Sequence, residues 1–418
     1  MTKRIENLSD FIEKMLVWSR TFSHFTLLTG NQYPDAYRKY DLLFAAGAKR
    51  IISANQHTFD RLAQAHQNSW LFGYICYDAK NDVERLYSKN PDSINAPALF
   101  FVEPEIVGSV TNGVFQIYNS TFREDELLKE ILTITLKENK PLPKIDFTAR
   151  MSKARYLRKV LALQEHIQRG DIYEVNFCQE FYAENADLQP DSVFDALNKK
   201  AKPPFAAFLN SPEISVMSAS PERYLQKKDN QLVSQPIKGT ARRSQNKTED
   251  ENLKTLLHTS VKERAENVMI VDLVRNDLSR IAATGSVSVP ELFGIYTFLT
   301  VHQLISTVTA ALDKNRTWID ALKNSFPMGS MTGAPKIRAM QLIEQFETHK
   351  RGIYSGALGY IEPKGDFDFS VVIRSLVYNK KTQYLSLSVG GAITILADAE
   401  KEYNECLLKA DAILQLFQ

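Results

Sequence analysis

The sequence predicts an α/β protein rich in antiparallel sheet. Short strand-like segments follow one another closely from FAAFLN through QLVSQPI, with too little chain between them for crossover helices. Long helical patterns flank this run on both sides. Strands in runs mixed with long helices point to sheets covered by helices.

The first third reads as mixed structure, with strand-like AKRIISA and ALFFVEP, and with SWLFGYICYDAKND as a buried strand ending in an acidic loop. The one linker-like stretch, KENKPLPK at Lys137 to Lys144, divides the chain into residues 1–145 and a core of 146–418. From about Thr148 the pattern sharpens. Tyr156, Val160, Leu163 and Ile167 recur at helical spacing, and Gly170 stands where a terminating glycine belongs. IYEVNF alternates, with Tyr173, Val175 and Phe177 on one face and Glu174, Asn176 and Cys178 on a polar one.

FAAFLN, ISVMSA, RYLQKK and QLVSQPI then predict short strands, with Asp229 and Asn230 turning between the last two. One long helix is predicted over about Leu253 to Ile281, and another from Pro335, where a first-turn proline loses no hydrogen bond. The last element, about Ala399 to Phe417, reads as a helix burying Leu407, Ala410 and Ile413.

Composition narrows the function. With 51 Lys+Arg against 49 Asp+Glu, the formal charge of +2 comes from interleaved residues rather than a basic stripe, so nucleic acid is not the expected partner. The N-terminus has acidic residues and no uninterrupted apolar stretch, unlike a signal peptide, and no apolar run approaches the ~18 residues of a membrane span. Cys76, Cys178 and Cys406 are far apart and odd in number, which argues against a disulfide framework or a cysteine-rich zinc site. The expected setting is cytoplasmic.

Several residues could carry chemistry. Glu263 with Glu266, and Glu402 with Glu405, form Glu-x-x-Glu pairs that share a helix face. If the helices meet, four carboxylates converge and Mg²⁺ suits them; spacing alone equally fits solvated faces. FPMGSMTGAPKIRAM is a glycine-punctuated loop opening a helix, and Lys336 beside free N–H groups favours a small anion, or else is an exposed lysine on a turn. Glu222 in SPERYL stands sixteen positions before Lys238 in PIKGTARR. The two form either a surface ion pair or, in a closed pocket, a general acid beside an amine nucleophile. The second role needs the amine to lose its proton and the acid to keep one, which burial favours and a direct salt bridge between them opposes. Arg374 in SVVIRSLV sits on a strand-like stretch and requires a planar anion, from protein or ligand. Tyr354 in RGIYSGALGY reads as core packing or as a ligand contact.

Taken together, GDIYEVNF, SASPERYL, PIKGTARR, KERAENVMIVDLVRNDLSR, VHQLISTV, GSMTGAPKIRAM, RGIYSGALGY, VVIRS, and GGAIT before EKEYNE resemble the chorismate-utilising enzymes. Within that family they are most similar to component I of the aminodeoxychorismate (para-aminobenzoate) synthases, and the resemblance spans about residues 148 to 412. It implies an anthranilate synthase component I-like sandwich, two large antiparallel sheets facing each other with helices outside, built from intertwined parts. It implies Glu266 and Glu405 as Mg²⁺ ligands, with Glu263 and Glu402 as ligands or holders of its water. Arg374, Tyr354, Thr240, and the loop of Gly333, Ala334 and Lys336 resemble the groups that hold chorismate, with Gly390 and Gly391 letting backbone approach its ring.

The PIKGT pattern, where anthranilate synthases typically have PIAGT, implies that Lys238 adds at C2 of chorismate while Glu222 helps the C4 hydroxyl leave. Ammonia then displaces the lysine at C4, giving 4-amino-4-deoxychorismate for the para-aminobenzoate branch of folate biosynthesis. Two departures stand out. Gln303 occupies the place of a family histidine, with His302 one position early, which fits retention of the enolpyruvyl group. Glu174 stands where relatives commonly have glutamine, and where water-adding relatives have lysine. No cysteine lies in a Gly-x-Cys-x-Gly elbow, so ammonia is expected from a separate glutamine amidotransferase subunit. No LLES-like motif is present, so tryptophan feedback is not expected. Anthranilate synthase component I and a catalytically idle binding subunit remain the alternatives.

Overall fold

The computed structural model describes residues 4–136 and 141–418, so the first half of the linker-like stretch, residues 137–140, lies outside the described residues. Two large sheets face each other. The first runs Gly333–Ala334, Glu174–Ala183, Tyr384–Ile393, Ser375–Asn379, Ile214–Ser220, Phe205–Asn210, Phe25–Thr29, Leu42–Ala46, Ile106–Thr111 and Val114–Asn119, with Thr148–Ala149 beside the second strand. The second runs Ile237–Arg242, Val301–Ala311, Gln231–Gln235, Arg223–Lys228, Phe367–Val371, Ala357–Ile361, Leu71–Ile75, Leu99–Glu103 and Arg50–Ala54, with Ser288–Thr297 alongside Val301–Ala311. The pairings are antiparallel throughout the described residues.

Residues 1–145 and 146–418 share both sheets: Phe25–Thr29 pairs with Phe205–Asn210 in one, and Leu71–Ile75 with Ala357–Ile361 in the other. The boundary at the linker therefore divides the sequence but not the core. Apolar side chains from both inner faces interlock, Tyr74 and Leu358 with Leu209 and Val377, and Phe72 and Tyr360 with Leu43 and Val107. Helices cover the outer faces. Leu8–Ser19, Lys153–Gln168, Pro190–Ala201 and Ala399–Leu414 pack on the first sheet; Thr58–Ala65, Val261–Ser279 and Trp318–Ser325 pack on the second.

Local chemistry explains most element ends. Ser152 caps Lys153–Gln168 by accepting from Arg155 N–H, and Gly170, at φ +81°, follows that helix. Asp229, at φ +52°, turns the hairpin between Arg223–Lys228 and Gln231–Gln235.

Four expectations need correction. The single long helix is two, Lys247–Thr259 and Val261–Ser279, because Ser260 adopts extended backbone and its hydroxyl accepts from Glu263 N–H as an N-cap. Pro335 is the N-cap of Lys336–Phe346 rather than its first helical residue. In the C-terminal helix, Cys406 rather than Leu407 joins Ala410 and Ile413 in the core; Leu407 is 38% exposed. Arg374 is on neither strand but in the turn between Phe367–Val371 and Ser375–Asn379, at φ +53°.

That turn has a counterpart. The chain crosses from the first sheet to the second between Ile214–Ser220 and Arg223–Lys228, and back again between Phe367–Val371 and Ser375–Asn379. The two crossings are stitched together by Val371 N–H to Glu222 O at 3.0 Å and Ala219 N–H to Arg374 O at 3.1 Å. Glu222 and Arg374 are thereby fixed at one corner of the sandwich.

Candidate active site

Lys238 enters this corner from the edge strand of the second sheet. The strand's register slips between Ile237 and Thr240, and Gly239 takes φ +87°, a bulge that turns Lys238 inward. The side chain is 8% exposed, and its Nζ lies 2.5 Å from Glu174 Oε1 on the first sheet. This ion pair bridges the two sheets.

Glu222 is not the lysine's direct partner. It is 4% exposed and accepts from Ser330 Oγ at 2.6 Å. Burial pushes its carboxyl up to about 7, against smaller opposing pulls from Ser330, Lys238 and a backbone N–H at Ile237. A carboxyl in that range can keep a proton to give. Lys238 moves the other way from the sequence-based requirement: burial favours the neutral amine, but Glu174, with Glu266 and Glu222 behind it, outweighs burial and holds the ammonium above its ordinary range.

The two Glu-x-x-Glu pairs face each other across the helices Val261–Ser279 and Ala399–Leu414. Lys262 Nζ stands 3.8 Å from both Glu266 Oε1 and Glu402 Oε1, and Lys409 Nζ lies 2.7 Å from Glu405 Oε1. Burial pushes Glu266 up to about 7, with the charges of Glu174 and Glu263 adding to it. Burial also raises Glu263 and Glu402, each helped by Glu405, whereas at Glu405 burial is overcome by Lys409 and the carboxyl is lowered. Glycines make room for them: a Cβ on Gly239 would lie 2.9 Å from Glu263 Oε2, and one on Gly391 would lie 3.1 Å from Glu402 Oε2.

As a donor set, Glu263, Glu266 and Glu402, whose ionisation burial disfavours, with the half-exposed Glu405 beside them, suit a hard divalent cation with water completing its shell. Among the described residues, no three such side chains already sit together closely enough to hold an ion. Lys262 occupies the space between the helices.

Opposite the carboxylates lies an anion-favouring wall. The Arg374 guanidinium makes no hydrogen bond or ion pair with the described residues, and burial lowers its pKa, with Tyr354 and Glu405 opposing. Tyr354 is 6% exposed and its phenol is pushed well up by burial. Arg374 is only partly buried, and an unpaired guanidinium there can take an anion. Lys336 does not supply a second free cation. Its Nζ is bound to Asp277 Oδ2 at 2.6 Å and to Ser325 O at 3.1 Å, so the loop offers backbone rather than an ammonium.

Gly333 and Ala334 form a short strand against Val175 and Glu174, so close that a Cβ on Gly333 would lie 2.1 Å from Glu174 O. Thr240 lies across from Gln303 in the second sheet. A Cβ on Gly390 would lie 2.9 Å from Asn176 Oδ1.

Sequence reasoning missed part of this wall. Glu174 Oε2, Asn176 Oδ1, Asn267 Nδ2 and Gln303 Oε1 are all buried without a hydrogen-bond partner among the described residues. Buried polar atoms are normally paired, so these four are open to a ligand or to water. The polar face of IYEVNF was the available signal for Glu174 and Asn176. His302 belongs elsewhere: fully buried, it meets Asp250 at 2.9 Å and Thr297 at 3.0 Å. A separate cleft between the sheets, lined by Arg38, Tyr40, Phe205, Tyr360 and Asp368, contains none of the site residues. The Arg223 charge there is already paired with Asp35 and Asp368.

This corner, with its unpaired arginine, buried acid and facing carboxylates, defines a member of a known class. The model of the chorismate binding enzyme family matches residues 25–415, and the chain belongs to that family. Over 263 residues it is 45% identical to an aminodeoxychorismate synthase of Streptomyces griseus, covering 62% of this chain and 36% of that protein. It is 39% identical over 270 residues to aminodeoxychorismate synthase component 1 of Escherichia coli (strain K12), covering 65% of this chain and 59% of that one. The chain therefore spans about three fifths or less of the length of these relatives. The crystal structure of anthranilate synthase component I from Streptococcus pneumoniae TIGR4 superposes with a TM-score of 0.80 at 26% identity, covering 91% of this chain and 93% of that one. The expected anthranilate synthase component I-like sandwich is the fold observed.

Proposed function

We propose that this chain is component I of an aminodeoxychorismate synthase, converting chorismate and ammonia to 4-amino-4-deoxychorismate. The observation that carries the reading is Lys238: a buried amine aimed by a bulge into the corner where a protonatable Glu222 and an unpaired Arg374 meet. Anthranilate synthase chemistry adds ammonia directly and has no use for a lysine there.

In this reading Arg374 and Tyr354 bind chorismate's carboxylates, and the N–H groups of Gly333 and Ala334 assist them. Gly390 lets the ring approach, while Thr240, Asn176 and Gln303 offer polar contacts around it. Mg²⁺ held by Glu266 and Glu405, with Glu263 and Glu402 as ligands or water holders, would clamp the ring carboxylate and stabilise charge as the hydroxyl departs. Lys238 adds at C2, the ring double bond shifts, and Glu222 protonates the C4 hydroxyl as it leaves as water. Ammonia then adds at C4, the double bond shifts back, and the lysine is expelled as an amine.

Ammonia comes from a separate glutamine amidotransferase subunit in a cytoplasmic heterodimer. No helix among the described residues is long and apolar enough to cross a membrane. Incubation with chorismate, Mg²⁺ and ammonium tests the reading. The expected product is 4-amino-4-deoxychorismate; blue-fluorescent anthranilate as the main product refutes it in favour of anthranilate synthase.

A further inference from the structure

We propose that Glu174 is the proton acceptor that turns Lys238 into a nucleophile, so that the ion pair joining the two sheets is a working part of the reaction. The proposal rests on the reading that Lys238 attacks chorismate. A lysine can form a bond to carbon only as the neutral amine, so its proton needs a place to go.

The geometry offers one place. Glu174 Oε1 is 2.5 Å from Nζ, within hydrogen-bond reach for direct transfer. Glu174 is 1% exposed and Lys238 8%, so bulk water is a poor competitor. The other carboxylates facing the amine are Glu222, Glu266, Glu263 and Glu405. Glu222 is needed protonated and is held by Ser330. Glu266, Glu263 and Glu405 lie on the helices that face each other around Lys262, and none is hydrogen-bonded to the amine.

Among the described residues Glu174 alone is hydrogen-bonded to the nitrogen, and its second oxygen, Oε2, is buried with no partner there. Its backbone is clamped: Glu174 pairs with Ala334, and Gly333 packs on its carbonyl. The carboxylate is thus positioned by main chain rather than by a mobile side-chain network.

The steps balance. Lys238 ammonium passes a proton to the Glu174 carboxylate, and the neutral amine forms the N–C2 bond. The double bond shifts, the C4–O bond breaks, and Glu222 gives the proton that releases water. The adduct is a secondary ammonium. When ammonia adds at C4, the C2–N bond breaks and Lys238 leaves as the neutral amine. The Glu174 acid then returns its proton to Lys238, and Glu222 recovers its own from the new C4 ammonium. No proton has to enter or leave the pocket between the two substitutions.

The test is the rate of adduct formation on the full chain with chorismate and Mg²⁺ but no ammonia, followed by quenched intact mass from pH 6 to 9. Glu174→Gln keeps the shape and an acceptor oxygen but cannot hold a proton. It should form the adduct about 10²-fold more slowly at pH 7. Relative to wild type its rate should climb with pH, because the remaining carboxylates keep the amine charged until solvent removes the proton. Glu174→Asp, a shorter carboxylate, should recover part of the rate and the wild-type pH profile.

Wild-type rate and pH profile in Glu174→Gln overturn the proposal alone. Equal impairment of both variants with wild-type pH profiles also overturns it, by showing a positional role. An active wild type that never forms an adduct overturns the lysine reading and this proposal together.

Discussion

Lys336 is held by Asp277, Nζ to Oδ2 at 2.6 Å, with both side chains largely buried. The sequence placed this lysine among the chorismate-holding groups; the ion pair gives it a structural part instead. Lys336→Met would strand a carboxylate that is 3% exposed. Breaking a buried pair on one side costs roughly 3–5 kcal/mol. A clear fall in Tm with KM for chorismate changed less than about threefold is the expected outcome; a large KM rise at unchanged Tm returns Lys336 to the binding wall.

Arg374 should behave in the opposite way. Its guanidinium makes no hydrogen bond or ion pair with the described residues, so Arg374→Ala breaks no such bond in the fold. A charged hydrogen-bonded contact is worth roughly 1.5–3 kcal/mol. KM for chorismate should therefore rise about 10- to 100-fold while Tm is unchanged or higher, in steady-state kinetics paired with thermal melts. A lowered Tm with normal KM contradicts the assignment.

Glu266 links the site to pH. Its folded carboxyl is pushed up to about 7 from an ordinary 4.5. Between those values the unfolded chain is ionised while the folded one holds its proton, so rising pH erodes stability across that window and the loss is complete above about 7. Glu266→Gln has no such titration. Without Mg²⁺, it should melt higher than wild type at pH 8 and alike at pH 4. With Mg²⁺, it should lack turnover, and the same loss is expected of Glu405→Gln. Normal Mg²⁺-dependent rates in both variants refute the metal assignment.

Much of the fold was legible because its signals are local. Asp229 at the hairpin, Gly170 after its helix and the strand run from FAAFLN to QLVSQPI each follow from neighbouring residues. Ser260 shows the limit: an apolar period passes through it, and only its hydroxyl, acting as a cap, reveals the break. Arg374 shows another, since a crossing between sheets looks like continuous strand when read along the chain. The site followed the same division. PIKGT marked Lys238 through its frame, but the partner, Glu174, lies 64 positions away on the other sheet. That pairing is a product of topology, and no spacing rule encodes it.

Glu222 gives a prediction that stands apart from the metal. With its carboxyl near 7, the protonated form that aids hydroxide departure fades as pH rises past that value. The pH profile of kcat/KM should fall on the alkaline side near 7, and Glu222→Gln should lose about 10²- to 10⁴-fold in rate while still binding chorismate. A Glu222→Gln enzyme of normal rate shows that the leaving hydroxyl is protonated elsewhere.

The lysine adduct is the most direct test of the whole account. Wild-type protein mixed with chorismate and Mg²⁺, with ammonia withheld, should gain the mass of chorismate less one water, and fragmentation should place it on Lys238. Lys238→Ala should gain nothing. A preparation that makes 4-amino-4-deoxychorismate once ammonium is added, yet never carries that mass on Lys238, contradicts the account at its centre.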